Sequence, residues 1–73
     1  MIDRKKFSER LKALKSKNNS TTVAIAAALN ITKQSVHAWE AMKTVPSADK
    51  LLELADYFDI SLDYLLGRTD NPR

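Results

Sequence analysis

Twenty consecutive residues, TTVAIAAALNITKQSVHAWE from Thr21 to Glu40, decide the fold of this chain. Their pattern predicts two short helices with a tight turn between them. Thr21 or Ser20 can cap the first helix, which covers residues 22–28 and is rich in alanine, the residue that loses least side-chain entropy in a helix. Asn30 then stands where a tight turn needs a positive φ, and asparagine tolerates that conformation better than other non-glycine residues.

The second helix of this pair follows Thr32, which can cap residues 33–40. Val36 and Trp39 recur on one side of it and are expected to point into the core. The two helices cross closely, so the first must offer a small residue at the contact, and Ala26 supplies it. This pattern is that of a helix-turn-helix unit. It leaves four side chains facing outward as one stripe: Lys33, Gln34, His37 and Ala38.

Three more helices are predicted around this pair, which gives an all-α, compact five-helix bundle. The residues that can cap them are Asp3, Ser47 and Ser61. The apolar residues at helical spacing are Phe7, Leu11 and Leu14 in the first helix, and Leu51, Leu54, Ala55 and Phe58 in the fourth. The fifth helix covers residues 62–66 and ends at Gly67. We expect one domain over residues 1–67 and a flexible C-terminal tail over residues 68–73.

The composition argues against several classes of protein. A chain of 73 residues is long enough for one domain with a small core. It has no cysteine, which excludes disulfides and thiolate zinc sites. Its single histidine, His37, has Ser35 two positions away on the same predicted helix, where the two side chains diverge. We therefore expect no enzyme activity, no metal site, no cofactor and no small-molecule substrate.

Charge is divided unevenly along the chain. Residues 1–46 carry nine lysines and arginines against three carboxylates, a net charge of +6, whereas residues 47–73 carry a net charge of −3. A basic surface opposite an acidic one can orient a small protein on a polyanion. No apolar segment of a signal peptide follows the first basic residues, and the longest apolar run, residues 23–29, is too short to span a bilayer. A cytoplasmic protein without a membrane partner is expected.

Many separated positions of residues 7–67 resemble the Cro/repressor helix-turn-helix family, also called the Xre family. They are Glu9-Arg10-Leu11-Lys12, Thr21, Ala26, Leu29-Asn30-Ile31-Thr32, Val36, Trp39-Glu40, Pro46-Ser47, residues 51–55 and Ile60-Ser61-Leu62-Asp63-Tyr64-Leu65-Leu66-Gly67. The resemblance implies a lambda-repressor-like DNA-binding fold, with the helix-turn-helix formed by the second and third helices. The sequence departs from the family at Thr22, where glutamine is usual, and at Asn30, Met42 and Asp59, where glycine is common.

In this family the third helix enters the major groove of DNA and reads base edges. The resemblance implies base contacts from the outward stripe: Lys33, Gln34, Ala38 and His37. Gln34 can form two hydrogen bonds with adenine, Lys33 can bond guanine, and Ala38 offers only a methyl group. His37 fits a flanking-base or phosphate contact and a merely solvated position equally well. The implied phosphate contacts are Thr22, Ser35, Lys43, Thr44 and Arg10.

The resemblance also implies contacts within and between protein chains. Lys15 and Glu40 should form a partly buried ion pair that orients the helices. A homodimer is expected, because one such module buries too little surface for tight, specific DNA binding. The candidate dimer surface is Tyr57, Leu62, Tyr64 and Leu65, and several of these residues are equally suited to the core.

The function implied by the resemblance is a sequence-specific transcriptional regulator of the phage or prophage repressor or Cro type, bound to double-stranded operator DNA. An alternative is a protein-interaction module, such as an antitoxin or antirepressor-like partner that keeps the fold but reads operators weakly. The uncharged outer face of the second helix and the bare methyl group of Ala38 favour this alternative. A third interpretation is the N-terminal part of a longer repressor.

Overall fold

A computed structural model describes residues 2–72 of the chain, and this range contains five α-helices and no strand. The helices are α1 (Arg4–Lys17), α2 (Thr22–Leu29), α3 (Lys33–Glu40), α4 (Ala48–Phe58) and α5 (Leu62–Leu65). The predicted all-α, five-helix architecture is confirmed. The bounds differ by one residue at two places, since α2 extends to Leu29 and α5 ends at Leu65. None of these helices is long and apolar enough to cross a membrane.

Each helix begins after a side chain that caps its first turn. The side-chain oxygen accepts a hydrogen bond from the backbone N–H three residues later, because the first N–H groups of a helix have no partner within it. The capping residues are Asp3, Thr21, Thr32, Ser47 and Ser61. The sequence predicts all five, and of the two candidates before α2, Thr21 is the cap.

The same type of turn ends each of these helices. A residue in the left-handed conformation follows the helix, and the next N–H donates to a carbonyl five residues earlier, which is the Schellman motif. The left-handed residues are Asn19, Asn30, Met42, Asp59 and Gly67. The donor and acceptor pairs are Ser20 and Lys15, Ile31 and Ala26, Lys43 and Ala38, Ile60 and Ala55, and Arg68 and Asp63. Four of the turns therefore use residues for which this conformation costs more than it does for glycine.

The core takes apolar residues from every helix. Phe7 of α1 and Trp39 of α3 meet edge to face, with ring centroids 6.4 Å apart. The other buried apolar residues are Leu11, Leu14, Ile25, Ala26, Leu29, Val36, Leu51, Leu54, Ala55, Phe58 and Leu65. The contact between Phe7 and Trp39 anchors α3 on α1 and leaves the opposite side of α3 facing outward.

The four residues expected at a dimer surface do not share one environment. Leu65 is fully buried in the core, so the structure contradicts its place on any surface: α5 is a single short turn that packs this side chain inward. Leu62 and Tyr64 are partly buried against the same core. Tyr57 is 39% exposed and is the most accessible member of the set. A dimer surface here would have to use Tyr57 and the exposed edges of Leu62 and Tyr64.

The C-terminal segment, residues 68–72, lies against the rest of the protein. The Ser61 N–H donates to the carbonyl oxygen of Pro72 at 2.7 Å. The Arg10 guanidinium donates to the carbonyl oxygen of Thr69 at 3.4 Å. The partners of this segment lie on α1 and at the start of α5. The flexible tail over residues 68–73 stays a prediction. Met1 and the last residue lie outside the described residues, and the end of the domain stays a prediction.

Candidate nucleic-acid interface

The outward stripe of α3 forms one continuous surface. Lys33, Gln34 and His37 are exposed, and Ala38 is half-buried. With Ala41 and Lys43 they line a shallow groove of about 320 Å³. We call this surface the α3 face, and its members are Lys33, Gln34, His37, Ala38 and Lys43. The structure therefore brings the predicted base contacts together with one predicted phosphate contact.

Packing behind α3 holds this face outward. Val36 is fully buried and Trp39 is 5% exposed, so the inner side of the helix is locked in the core. Ala26 is also buried, as expected for the small residue where α2 and α3 cross. Asn30 turns the chain between the two helices with φ 56° and ψ 48°, a conformation that β-branched residues avoid. The α3 face is thus presented by a helix in a fixed orientation.

Polar groups lie at both ends of α3. The Ser35 hydroxyl is 3.1 Å from Thr32 Oγ1, so it takes part in the cap of the helix. Thr44 is exposed in the loop after the helix, next to Lys43. Within residues 2–72, neither the Lys33 nor the Lys43 ammonium forms an ion pair. No carboxylate of the described residues therefore neutralises their positive charge, which is available to an anion.

Lys15 joins three helices at one point. Its Nζ atom lies 2.8 Å from Glu40 Oε2 and 2.7 Å from Thr22 Oγ1. The Lys15 and Glu40 side chains are only 20% and 16% exposed, so this is a partly buried ion pair between α1 and α3. Thr22, a predicted phosphate contact on α2, is brought to the same cluster, which no local sequence pattern indicates.

Two more side chains of α1 hold the end of α3, and the sequence reasoning missed both. Ser8 Oγ donates to the carbonyl oxygen of Glu40 at 2.6 Å. Arg4 Nη1 donates to the carbonyl oxygens of Met42 at 3.3 Å and Lys43 at 3.1 Å. A signal exists for Ser8, because a hydroxyl on the buried side of a helix needs a partner. No signal exists for Arg4, since its acceptors are backbone atoms in a distant segment.

Arg10 is not part of the α3 face. Its guanidinium lies over the Tyr64 ring, 3.9 Å from the centroid, and 3.6 Å from Asp70 Oδ1. Arg10 and Ser8 point about 160° apart on α1, because each helical residue advances by about 100°. Ser8 faces α3, so Arg10 faces α5 and the C-terminal segment. The expected phosphate contact from Arg10 therefore gives way to a contact within the protein.

Carboxylates dominate α4 and α5. The Glu53 carboxylate forms an ion pair with the Lys50 ammonium at 3.0 Å. The same ammonium donates a hydrogen bond to the Leu29 carbonyl oxygen at the end of α2. This second contact was not predicted from the sequence. Asp49 and Asp56 are exposed on α4. In the part of the chain that the structure describes, no three His, Cys, Asp or Glu side chains are placed to hold a metal ion.

Comparison with protein families matches one described as helix-turn-helix to residues 11–65, which include the whole unit formed by α2 and α3. The chain belongs to the helix-turn-helix family. This match confirms the prediction from the sequence that the chain is of the Cro/repressor (Xre) type.

Two relatives of the helix-turn-helix chain carry names that refer to transcription. It is 38% identical over 66 residues to a protein of Bacillus subtilis (strain 168) described as the uncharacterized HTH-type transcriptional regulator YobD, and the match covers 90% of this chain and 59% of that protein. It is also similar to the crystal structure of a transcriptional regulator from Listeria innocua, with a TM-score of 0.79 and 36% identity over 84% of this chain and 57% of that one. The chain thus spans just over half the length of these relatives.

Proposed function

We propose that this chain binds double-stranded DNA in a sequence-specific manner and regulates transcription, with α3 in the major groove. The α3 face carries the proposal. It places Lys33, Gln34 and His37 on one exposed helix, and none of these side chains makes a hydrogen bond or ion pair within residues 2–72. The major groove is wide enough to admit an α-helix. Both similar proteins bear the description of transcriptional regulators, which supports the proposal.

The α3 face offers distinct chemistry for reading bases. The Gln34 amide can donate to adenine N7 and accept from its N6 amino group, and Lys33 can donate to guanine O6 and N7. The Ala38 methyl group suits a thymine methyl group. His37 lies beside Ala38 in the same groove and is proposed to contact a flanking base or phosphate.

Phosphate contacts are proposed for side chains around the α3 face: Thr22, Ser35, Lys43 and Thr44. Thr22 Oγ1 already accepts from Lys15, and its hydroxyl proton has no acceptor among residues 2–72. That proton can therefore be donated to a phosphate. Thr22 is also the first residue of α2, where the unpaired N–H groups and the helix dipole favour an anion.

A homodimer bound to two operator half-sites completes the proposal. Paired half-sites are the usual arrangement for helix-turn-helix proteins, because a single module buries little surface on DNA. Tyr57, Leu62 and Tyr64 are the remaining candidates for the contact between copies. A cytoplasmic repressor of the phage or Cro type fits this arrangement.

A second candidate function, a protein-interaction module, is favoured by the outer face of α2. Val23 is 64% exposed, and Ala24, Ala27 and Ala28 are exposed on the same helix. Because α2 carries no charged residue, this face suits an apolar partner surface. Under this alternative Val23→Glu impairs function more than Gln34→Ala does.

Selection of bound DNA from a random pool tests the proposed function. We expect enrichment of a motif with two related half-sites at a fixed spacing. Binding of the selected DNA should be lost in Gln34→Ala and largely kept in Val23→Glu. A pool that stays random after selection would refute sequence-specific DNA binding, and loss of partner binding only in Val23→Glu would favour the alternative.

A further inference from the structure

Arg4, the first residue of α1, links the beginning of this helix to the turn that follows α3 by hydrogen bonds. Its Nη1 atom donates to two successive carbonyl oxygens, those of Met42 and Lys43, at 3.3 and 3.1 Å. Ser8, one helical turn later on the same side of α1, donates to the carbonyl oxygen of Glu40 at 2.6 Å. Together the two side chains hold three carbonyls around the end of α3.

The turn that Arg4 contacts needs such support. Met42 has φ 63°, a left-handed conformation that residues with a Cβ atom avoid. The last carbonyls of a helix also lack partners within it, and a cation beside them is favoured by the helix dipole. The carbonyls that accept from Arg4 belong to Met42 and Lys43, in the turn just beyond α3. The guanidinium therefore holds the left-handed turn itself and brings positive charge next to the end of α3.

We propose that Arg4 is a positioning residue for the DNA interface: by holding the turn after α3, it sets where the Lys43 ammonium meets the DNA backbone. The inference rests on the proposed function. Lys43 directly follows the left-handed residue, and its N–H donates to the Ala38 carbonyl oxygen at 3.0 Å. Its side chain lines the same groove as His37 and Ala38. Since phosphate contacts set the register of a protein on the duplex, a displaced Lys43 would also misalign the base contacts.

A double-mutant cycle on the selected DNA tests the proposal. We expect Arg4→Gln to weaken binding about 5-fold, as for loss of a charged hydrogen-bonding group. Arg4→Lys, which keeps the charge but not the planar fork, should weaken it by a similar factor. The matched control is Lys5→Gln, which removes one charge from the neighbouring exposed residue and should weaken binding less than about 2-fold. In a Lys43→Ala background, Arg4→Gln should cause almost no further loss, because Arg4 acts through Lys43.

Hydrogen exchange of the Lys43 amide, measured without DNA, provides a second readout. This amide donates to the Ala38 carbonyl oxygen within the turn. Arg4→Gln should accelerate its exchange several-fold relative to the wild-type protein, because the turn opens more often. Lys5→Gln should leave the rate unchanged.

The outcomes separate this inference from the proposed function. If the wild-type protein selects no DNA motif, the proposed function fails and the inference with it. If the wild-type protein binds and the losses in Arg4→Gln and Lys43→Ala are additive, Arg4 contacts DNA directly and only the inference is overturned. The same holds if Arg4→Gln behaves like Lys5→Gln, or if the exchange of the Lys43 amide does not change.

Discussion

Single residues in left-handed turns show where this chain carries strain. Met42 is the only long, flexible side chain among the five left-handed residues of the described range, at φ 63°. The conformation costs about 1–2 kcal/mol for an ordinary L-residue, and less for asparagine or aspartate. Met42→Gly is therefore expected to raise the free energy of unfolding by about 1 kcal/mol, measured by urea denaturation.

Gly67 is the matched control for Met42, because it occupies the equivalent position after α5. Its φ is 75°, and an added Cβ atom would lie 2.8 Å from Lys6 Cβ. Gly67→Ala should therefore lower the free energy of unfolding by about 1–2 kcal/mol. A neutral or destabilising Met42→Gly beside a destabilising Gly67→Ala would mean that the turn after α3 is not strained.

Thr22 shows how one hydroxyl can serve the fold and DNA at once. Its oxygen accepts from Lys15 Nζ at 2.7 Å, which leaves the proton for a phosphate. Thr22→Val keeps the shape but removes both roles, and we expect DNA affinity to fall about 5- to 10-fold in fluorescence anisotropy titrations. Thr22→Ser keeps the hydroxyl and should bind within about 2-fold of wild type. Equal losses in the two variants would argue against a phosphate contact from this hydroxyl.

At the scale of elements, helix ends in this protein are local features and were predictable. Each N-cap contact spans three residues, and each Schellman turn spans five. Such short-range geometry depends on the type of a few neighbouring residues. The sequence therefore identified Thr32 as the cap of α3 and Asn30 as the turn residue after α2. The ion pair between Lys15 and Glu40 was implied by the family resemblance and by no local pattern, because the two residues are far apart in the chain and meet only when both helices pack on the core.

The ion pair between α1 and α3 is expected to show energetic coupling. Lys15→Met leaves the Glu40 carboxylate, 16% exposed, without its cation, and Glu40→Met does the reverse. We expect each single variant to have a lower free energy of unfolding than the wild-type protein. The loss in the double variant should be smaller than the sum of the two single losses by about 1–2 kcal/mol. Urea denaturation of the four proteins gives the coupling. A coupling near zero would show that the two side chains do not stabilise the folded protein through their interaction.

For the whole molecule, the fold places the unevenly distributed charges of the sequence on different helices. The unpaired Lys33 and Lys43 lie on the α3 face, and carboxylates dominate α4 and α5. A basic helix surface that is separate from the acidic helices can orient a small protein on a polyanion before specific contacts form. This arrangement belongs to the folded molecule, since a charge count assigns no residue to a side.

DNA affinity should fall steeply as salt rises, because phosphate contacts release counterions. We expect Lys43→Gln to reduce the slope of log K against log salt concentration by about 0.9. Asp56→Asn changes the charge by the same amount at an exposed position of α4. This variant should leave the slope within error of the wild-type value. Equal slopes for wild type and Lys43→Gln would remove Lys43 from the phosphate contacts.

The sequence by itself determined which segments are helical, where they begin and end to within one residue, and which residues of α3 face outward. It could do so because caps, turns and the 3.6-residue period involve neighbours along the chain. The helix-turn-helix unit is itself local, so its small residue Ala26 and anchor Trp39 were also identifiable.

Only the tertiary structure decided which partners the arginines of α1 contact within the protein. Arg10 contacts Tyr64 and Asp70, and Arg4 contacts the turn after α3. The partners of Arg10 and Arg4 lie more than 35 residues away in the chain. The physical reason is that a long basic side chain on a helix surface has several directions open to it, and the element packed beside it selects one.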